Sequence, residues 1–169
     1  MRKILVGMVV LVFAFPLFGG SPGTSGALFL NYSPSARATA MTDAYSSLSD
    51  DVFSIYYNPA GLGYVELFQG GLSYTRSFQD ISNQYLAIAY PYKIGQVFGV
   101  SYHSLSYGDI QGYDARGLST NKIDTSNYAI SFGYGKVLTK DEIERPVLNL
   151  GGNLKYISQT LDNVGANTF

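Results

Sequence analysis

The residues of this sequence that can do chemistry are few and are not grouped. The chain has a single histidine, His103, and no cysteine. One imidazole without a thiolate does not make a transition-metal site, and no serine, histidine and aspartate spacing indicates a catalytic triad. The glycine pair Gly151–Gly152 lies in a strand pattern and lacks the nearby lysine and hydroxyl residue of a phosphate-binding loop. The sequence therefore predicts no catalytic site, no metal and no cofactor, and enzymes are the least favoured class.

The acidic pair Asp50–Asp51 has two interpretations. Neighbouring carboxylates can bind a cation, but capping of a helical turn by an aspartate is the commoner use, and we favour it. Arg37 can pair with either carboxylate in the interior, where a buried charge needs a partner. A solvated surface charge is the alternative for Arg37.

A turn motif follows the acidic pair, and its residues are Asn58, Pro59, Ala60, Gly61 and Leu62. Pro59 fixes its own φ and favours an extended conformation at Asn58. The Asn58 side chain can bond nearby backbone, and Gly61 permits a positive φ. The motif predicts a rigid corner with an architectural role, and direct contact with a ligand is the alternative.

These residues need elements to position them, and the first is a helix. Ser35 can cap a helix from Ala36 to about Leu48. Small or flexible apolar residues recur on one face of that helix, at Ala36, Ala40, Met41 and Ala44. Because small side chains permit close approach, we expect this face to pack against a wall or inside a narrow lumen.

The N-terminus resembles an export signal. Two basic residues precede an apolar run of about 15 residues, from Ile4 to Phe18, and small residues follow at positions 19–21. The run has the length of a signal-peptide core and is short for a membrane helix. We expect a cleaved signal peptide over residues 1–21, with an uncleaved anchor as the alternative.

The composition after this run is unusual for a soluble protein. The chain has 15 Tyr, 10 Phe and 19 Gly, and only 14% of its residues are charged, against about 25% in soluble domains. No later apolar run is long enough for a membrane helix. These features favour a β-barrel with one face toward lipid, and a secreted, tyrosine-rich β-sandwich is the alternative. A net charge of −1 does not indicate nucleic-acid binding.

Apolar residues recur with a period of two along five segments, which predicts strands that have one apolar face. The segments are Gly71–Phe78, Gln84–Tyr92, Gln96–Tyr107, Asn127–Val137 and Val147–Gln159. Each is about long enough to cross a bilayer as a tilted strand, and aromatic residues lie toward the segment ends. We interpret Gly108–Thr125 as a long polar outer loop, Leu138–Pro146 as a charged turn and residues 161–169 as a loop in which the terminal Phe169 is coincidental.

The predicted fold is therefore all-β: the N-terminal part of an antiparallel transmembrane β-barrel, preceded by a short helical plug or hatch. Residues 22–63 form the plug segment and residues 64–169 the first strands. Because single-chain bacterial barrels have at least eight strands, we expect this sequence to be the front of a longer barrel. The alternative is that several copies close one barrel.

The segment Arg37–Leu62 resembles the N-terminal region of the fatty-acid transporter superfamily of outer-membrane proteins. There, a small-residue segment precedes an acidic pair and an Asn-Pro-Ala-Gly motif. The PorV/PorQ-type family is more similar still, and its pattern matches Phe29-Leu30, Ala36-Arg37, Met41 and Tyr57–Leu62. That family usually has glycine after the methionine, where this chain has Thr42.

The resemblance implies two functions for a protein of the bacterial outer membrane, with the lipid bilayer as a partner. The first is passage of small hydrophobic molecules, with the N-terminal segment as hatch. Small side chains on one strand face would leave lumen space for it, at Ala87, Ala89, Gly99, Ser131 and Gly133. The second is a role as secretion or attachment partner for exported proteins, through the predicted outer loop and its residues Tyr113, Asp114 and Arg116.

Overall fold

The computed structural model describes residues 26–108, 110–114, 116–123, 125–140, 146–161 and 164–168. The predicted signal peptide, most of the charged turn and Phe169 lie outside the described residues. Short helices come first, and almost everything after them is antiparallel strand.

The N-terminal helical elements are short. Two are α-helical, α1 (Ala36–Ala40) and α2 (Ser54–Tyr57), and three are 3₁₀ turns, η1 (Leu28–Asn31), η2 (Pro59–Tyr64) and η3 (Phe78–Asp80). None of the helices in the described part of the chain is long and apolar enough to cross a membrane.

The described residues contain eight strands: β1 (Gln69–Arg76), β2 (Ser82–Lys93), β3 (Gln96–Ser106), β4 (Ile110–Tyr113), β5 (Ser119–Ile123), β6 (Thr125–Lys140), β7 (Pro146–Leu161) and β8 (Val164–Thr168). Six of them form one antiparallel sheet in the order β1-β2-β3-β6-β7-β8, and β4 pairs with β5 in a separate hairpin. The all-β prediction is confirmed. Within the described ranges the sheet is open, with β1 and β8 at its two edges.

The five predicted strands are confirmed as β1, β2, β3, β6 and β7, and their alternation is also confirmed. On β2, Ala87 and Ala89 are fully buried while Ile88 is 43% exposed. Alternation of burial along a strand means that one face of the sheet is covered and the other is open. We call these the inner and the outer face.

Two interpretations of connecting segments are wrong. The predicted long loop contains the β4–β5 hairpin, whose turn forms because the Asp114 carboxylate accepts the Arg116 and Leu118 amides. The segment after β7 contains β8, which pairs with β7 over five residues. This strand has a short sequence of mostly small residues, so its conformation follows from backbone pairing with a long neighbour.

The predicted helix from Ala36 to Leu48 is also wrong beyond its first turn. Ser35 caps it as expected, since its hydroxyl accepts the Ala38 amide at 3.3 Å. The helix ends at Ala40, because the chain enters left-handed conformations at Thr42 (φ 55°) and Asp43 (φ 58°). Turns cover the remainder of the predicted helix.

The packing face of that segment differs accordingly. The residues expected on it are exposed or half-buried: Ala36, Ala40, Met41 and Ala44. The buried positions are instead Ala38, Tyr45 and Ser49.

Candidate functional site: the interface between the N-terminal segment and the sheet

The N-terminal segment (residues 26–64) covers the inner face of the sheet. Its α2 and η2 form the principal core with β2 and β3, and the buried members of that core are Val52, Ile55, Leu62, Val65, Tyr85, Ala87, Ala89 and Val97. A second cluster joins Phe29 of η1 to Leu105 and Ala129. This interface is the largest buried feature of the described chain and the candidate functional site.

Small residues on three neighbouring strands make a groove for this segment, and we call the set Gly99, Gly133, Gly135 and Gly151 the glycine groove. A methyl group built on Gly133 would lie 2.8 Å from Ile55, and one on Gly135 would lie 2.7 Å from Leu62. A methyl group on Gly151 would overlap the backbone of Pro59 and Ala60. The small side chains therefore admit the segment, and the lumen space expected beside Gly99 and Gly133 is filled by Ile55 and Leu62.

The corner motif is the part of the segment that enters this groove. Asn58 is extended (φ −154°), its side chain accepts the Ala60 amide at 3.2 Å, and Pro59 begins η2. Its amide group also donates to the Ser46 carbonyl at 2.9 Å. The motif thus caps a 3₁₀ turn and delivers Leu62 to the core with none of its side chain exposed.

Gly61 has a different role from the one expected. It is not among the residues with positive φ. Instead, a methyl group on Gly61 would lie 2.6 Å from the Ser49 side chain and even nearer to the Ser49 carbonyl. Glycine is required here for close approach of two backbones.

Strand β7 holds the segment through several of its inward side chains. The Gln159 side-chain oxygen accepts the Ala27 amide at 3.0 Å, and the Asn153 amide donates to the Ile55 carbonyl at 2.9 Å. Between them, the Lys155 ammonium lies 5.4 Å from the centre of the Tyr56 ring. The strand thus satisfies backbone groups of a segment that has little regular structure of its own.

Tyr56 links the two ends of the N-terminal segment to each other. The Tyr56 hydroxyl donates to the carbonyls of Leu30 and Tyr32. Burial, followed by the neighbouring Tyr57 and Asp43, raises the pKa of Tyr56 to about 12. The phenol is therefore neutral in the physiological range and remains a donor.

Arg37 and the acidic pair lie on the side of the segment that faces away from the sheet. The Arg37 guanidinium is 2.5 Å from Asp50 and 3.7 Å from Asp51, with half of its side chain exposed. Its hydrogen bond to Asp50 raises the pKa of Arg37. The Asp51 carboxylate also accepts the Phe53 amide at 2.8 Å, which stabilises the turn before α2. The pair therefore serves ion pairing and capping at the surface.

His103 lies in the interface, while the predicted loop residues lie on the separate β4–β5 hairpin. His103 is 2% exposed and contacts Phe29, Tyr56 and Tyr85. Tyr113 is 67% exposed. Sequence reasoning missed Asn83, Asn153, Lys155 and Gln159 as contacts of the segment or of His103. The sequence feature that could have indicated these contacts is a polar side chain at a strand position that faces inward.

A cleft of about 560 Å³ opens where the segment meets the β2–β3 turn. Its lining combines the charged groups of Glu66, Lys93 and Lys140 with apolar Ile94 and Val137. No cluster of potential metal ligands occurs among the described residues.

Comparison with known proteins gives no relative. No family model, no curated protein and no solved structure matches this chain.

Proposed function

We propose that this chain forms the wall of an outer-membrane β-barrel and that its N-terminal segment is the plug of that barrel. The observation that carries the proposal is the pair of opposite sheet faces, one covered by the segment and the other apolar and exposed. Exposed apolar patches on soluble proteins seldom exceed a few hundred Å².

The outer face has the layered order that a bilayer favours. Strand register aligns a central row of Ile88, Val100, Phe132 and Leu154. On one side of it lies a row with Tyr90, Phe98 and Tyr134, and on the other side a row with Leu86, Tyr102, Ile130 and Tyr156. Neither the central row nor these two flanking rows contain a charged residue. Aliphatic and phenyl groups at mid-depth with tyrosines toward both ends match a lipid-facing wall with interfacial girdles.

The function that this arrangement supports best is controlled passage of small hydrophobic molecules across the outer membrane. The plug fills the glycine groove and covers the inner wall, so a molecule that moves along this wall requires the plug to shift. The proposal also draws on the sequence resemblance to the fatty-acid transporter superfamily.

A reversible cross-link between plug and wall tests this function. Ala27 and Gln159 are in hydrogen-bond contact, and the chain has no native cysteine, so Ala27→Cys with Gln159→Cys can be joined by a short bis-thiosulfonate linker that reductant removes. Full-length protein in liposomes is assayed for uptake of a hydrophobic fluorescent amine, first cross-linked and then reduced. We expect uptake to fall on cross-linking and to recover with reductant, with each single-cysteine variant as control. Equal uptake by cross-linked, reduced and protein-free vesicles would contradict transport.

A second function is supported by one further observation. The β4–β5 hairpin replaces the expected loop with an ordered element that exposes Tyr113 and Leu118. Such a projection suits a barrel that holds exported proteins at the cell surface. Under this function, Tyr113→Ala with Arg116→Ala abolishes co-purification of a surface-attached protein and leaves uptake unchanged. Loss of uptake with retained co-purification contradicts it.

A further inference from the structure

A buried histidine lies where two parts of the N-terminal segment meet the wall. The His103 ring centre is 5.6 Å from Phe29 of η1 and 5.8 Å from Tyr56 of α2. Tyr85 of β2 closes a third side at 5.5 Å. Both plug elements therefore cover the imidazole directly, and lifting them from the wall exposes it to water.

The hydrogen bonding of His103 fits only a neutral ring. Nε2 lies 2.7 Å from the Asn83 side-chain oxygen, which accepts its hydrogen. Nδ1 is buried and has no hydrogen-bond partner. A second proton has to go to Nδ1, for which the described residues provide no hydrogen-bond acceptor.

The charges around the ring also oppose a second proton. The titratable groups that face it are Tyr56 of α2, Tyr85 of β2 and Lys155 of β7. Phe29 of η1 and Ala129, the cross-strand neighbour on β6, are uncharged. Lys155 is the charged side chain that acts on the imidazole, and the described residues bring no carboxylate into contact with the ring. The positive charge of Lys155 and the burial of the ring thus both disfavour the protonated form of His103.

We propose that His103 makes the plug acid-sensitive: its protonation at Nδ1 favours release of the N-terminal segment from the inner wall. The inference rests on the proposed plug. In the docked state the imidazolium is buried beside Lys155 without an acceptor, whereas in the released state water solvates it. Acid therefore shifts the equilibrium toward release, and His103 acts as a positioning residue for the plug.

The size of the effect follows from linkage. A solvated histidine titrates near pH 6.5, so lowering the pH from 7.5 to 5.0 raises the released-to-docked ratio about 30-fold when docked His103 stays neutral. Most carboxylates remain ionised at pH 5.0.

Thiol labelling of the covered wall measures this release. Ala129 is 1% exposed and packs beneath Phe29, so Ala129→Cys places a reporter that reacts only when the plug lifts. The full-length variant in liposomes is treated with a pyridyl disulfide, which reacts in acid. Rates are divided by those of Leu118→Cys on the exposed hairpin, which removes the pH dependence of the thiol itself. We expect the relative rate to rise about 30-fold between pH 7.5 and 5.0.

Variants of His103 test whether this residue causes the acid-dependent release of the N-terminal segment. With His103→Asn or His103→Phe, we expect the reporter to stay protected at pH 7.5 and the relative rate to stay flat with pH. A flat wild-type profile, or the full rise in both variants, would overturn the inference. If neither variant protects the reporter at pH 7.5, the shape of the wild-type profile decides: titration of one solvated histidine gives only about a twofold rise from pH 7.5 to 6.5 and most of the rise between pH 6.5 and 5.0, and a rise of any other shape overturns the inference. A wild-type reporter that reacts at pH 7.5 as fast as Leu118→Cys contradicts the plug itself.

Discussion

At the scale of single residues, the backbone of the N-terminal segment is strained at two positions whose residue types do not indicate it. Thr42 and Asp43 both have left-handed φ, a conformation that costs a β-branched residue about 1–2 kcal/mol. Glycine adopts this φ without a clash of Cβ, so the backbone at position 42 favours glycine on physical grounds. This strained conformation lets the chain change direction after the end of α1.

Replacing Thr42 with glycine is predicted to stabilise the protein. Relief of the left-handed strain exceeds the entropy that glycine loses on folding, so we expect Thr42→Gly to raise the free energy of unfolding by about 1 kcal/mol. Denaturant titration measures it. Thr39→Gly is the control, because Thr39 lies in α1 and its hydroxyl bonds Ser33 and Ser35. The loss of helix propensity and of these bonds together is expected to lower the free energy of unfolding by about 1 kcal/mol. A loss of stability in Thr42→Gly would contradict the account.

The raised pKa of Tyr56 predicts that the folded protein loses stability in alkali. Its folded pKa is about 12, whereas an unfolded tyrosine titrates near 10. Below pH 10 the phenol is neutral in both states. As the pH rises from 10 to 12, the unfolded state ionises first and the contribution to stability is lost.

A comparison with Tyr56→Phe isolates this effect. At pH 8 the variant is expected to be less stable by about 1 kcal/mol, because the bonds to Leu30 and Tyr32 are absent. The difference between wild type and variant should shrink as the pH approaches 12, as followed by urea denaturation at each pH. Parallel pH profiles for the two proteins would exclude Tyr56 as the source.

At the scale of elements, the period-two alternation of apolar residues was sufficient to predict five strands of the main sheet. Burial alternates along each strand because successive side chains point to opposite faces, and that pattern is local in sequence. The end of α1 and the existence of β8 were missed because they depend on backbone strain and on pairing with a neighbour. The contacts of Asn153 and Gln159 were missed because their partners are distant in sequence and have no pattern of their own.

Adjacent glycines of β7 provide a matched test of plug docking. A methyl group on Gly151 overlaps the Pro59–Ala60 backbone, whereas one on Gly152 meets nothing within 4 Å. We expect Gly151→Ala to destabilise by about 2–3 kcal/mol and Gly152→Ala to change stability by less than about 0.5 kcal/mol. Denaturation and the rate of proteolysis within residues 26–64 report this. Equal effects of the two substitutions would mean that the glycine groove does not hold the segment.

At the scale of the whole molecule, the two sheet faces differ: the N-terminal segment covers the inner face, and the outer face is apolar and exposed. The composition predicted a lipid-facing wall before any contact was known, because scarce charge and alternating aromatics are properties of the whole chain. A plug that packs against the wall was predicted, but the small residues of the opposite face were interpreted as open space, and the structure shows Ile55 and Leu62 in that space. The filled groove is thus the part of the candidate site that only the fold reveals.

A charge at mid-depth of the outer face tests membrane insertion. Phe132 is 59% exposed in the central row, and arginine at the middle of a lipid-facing strand costs about 2–4 kcal/mol. We expect Phe132→Arg to reduce the fraction of protein that inserts into liposomes, measured by resistance to urea extraction. Thr120→Arg, on the exposed hairpin, is expected to insert like the wild type. Equal insertion of both variants would favour the secreted β-sandwich.

The contacts between β7 and the N-terminal segment also set an order of events during biogenesis. Asn153 and Ile55 are 98 positions apart, and Gln159 and Ala27 are 132 apart. Contacts between distant parts of a chain form late, because closing long loops is entropically slow. The segment is synthesised first, yet its binding surface is complete only once β7 has joined the sheet. Until then Phe29, Ile55 and Leu62 are uncovered, and the apolar surface that they expose favours aggregation of the nascent chain.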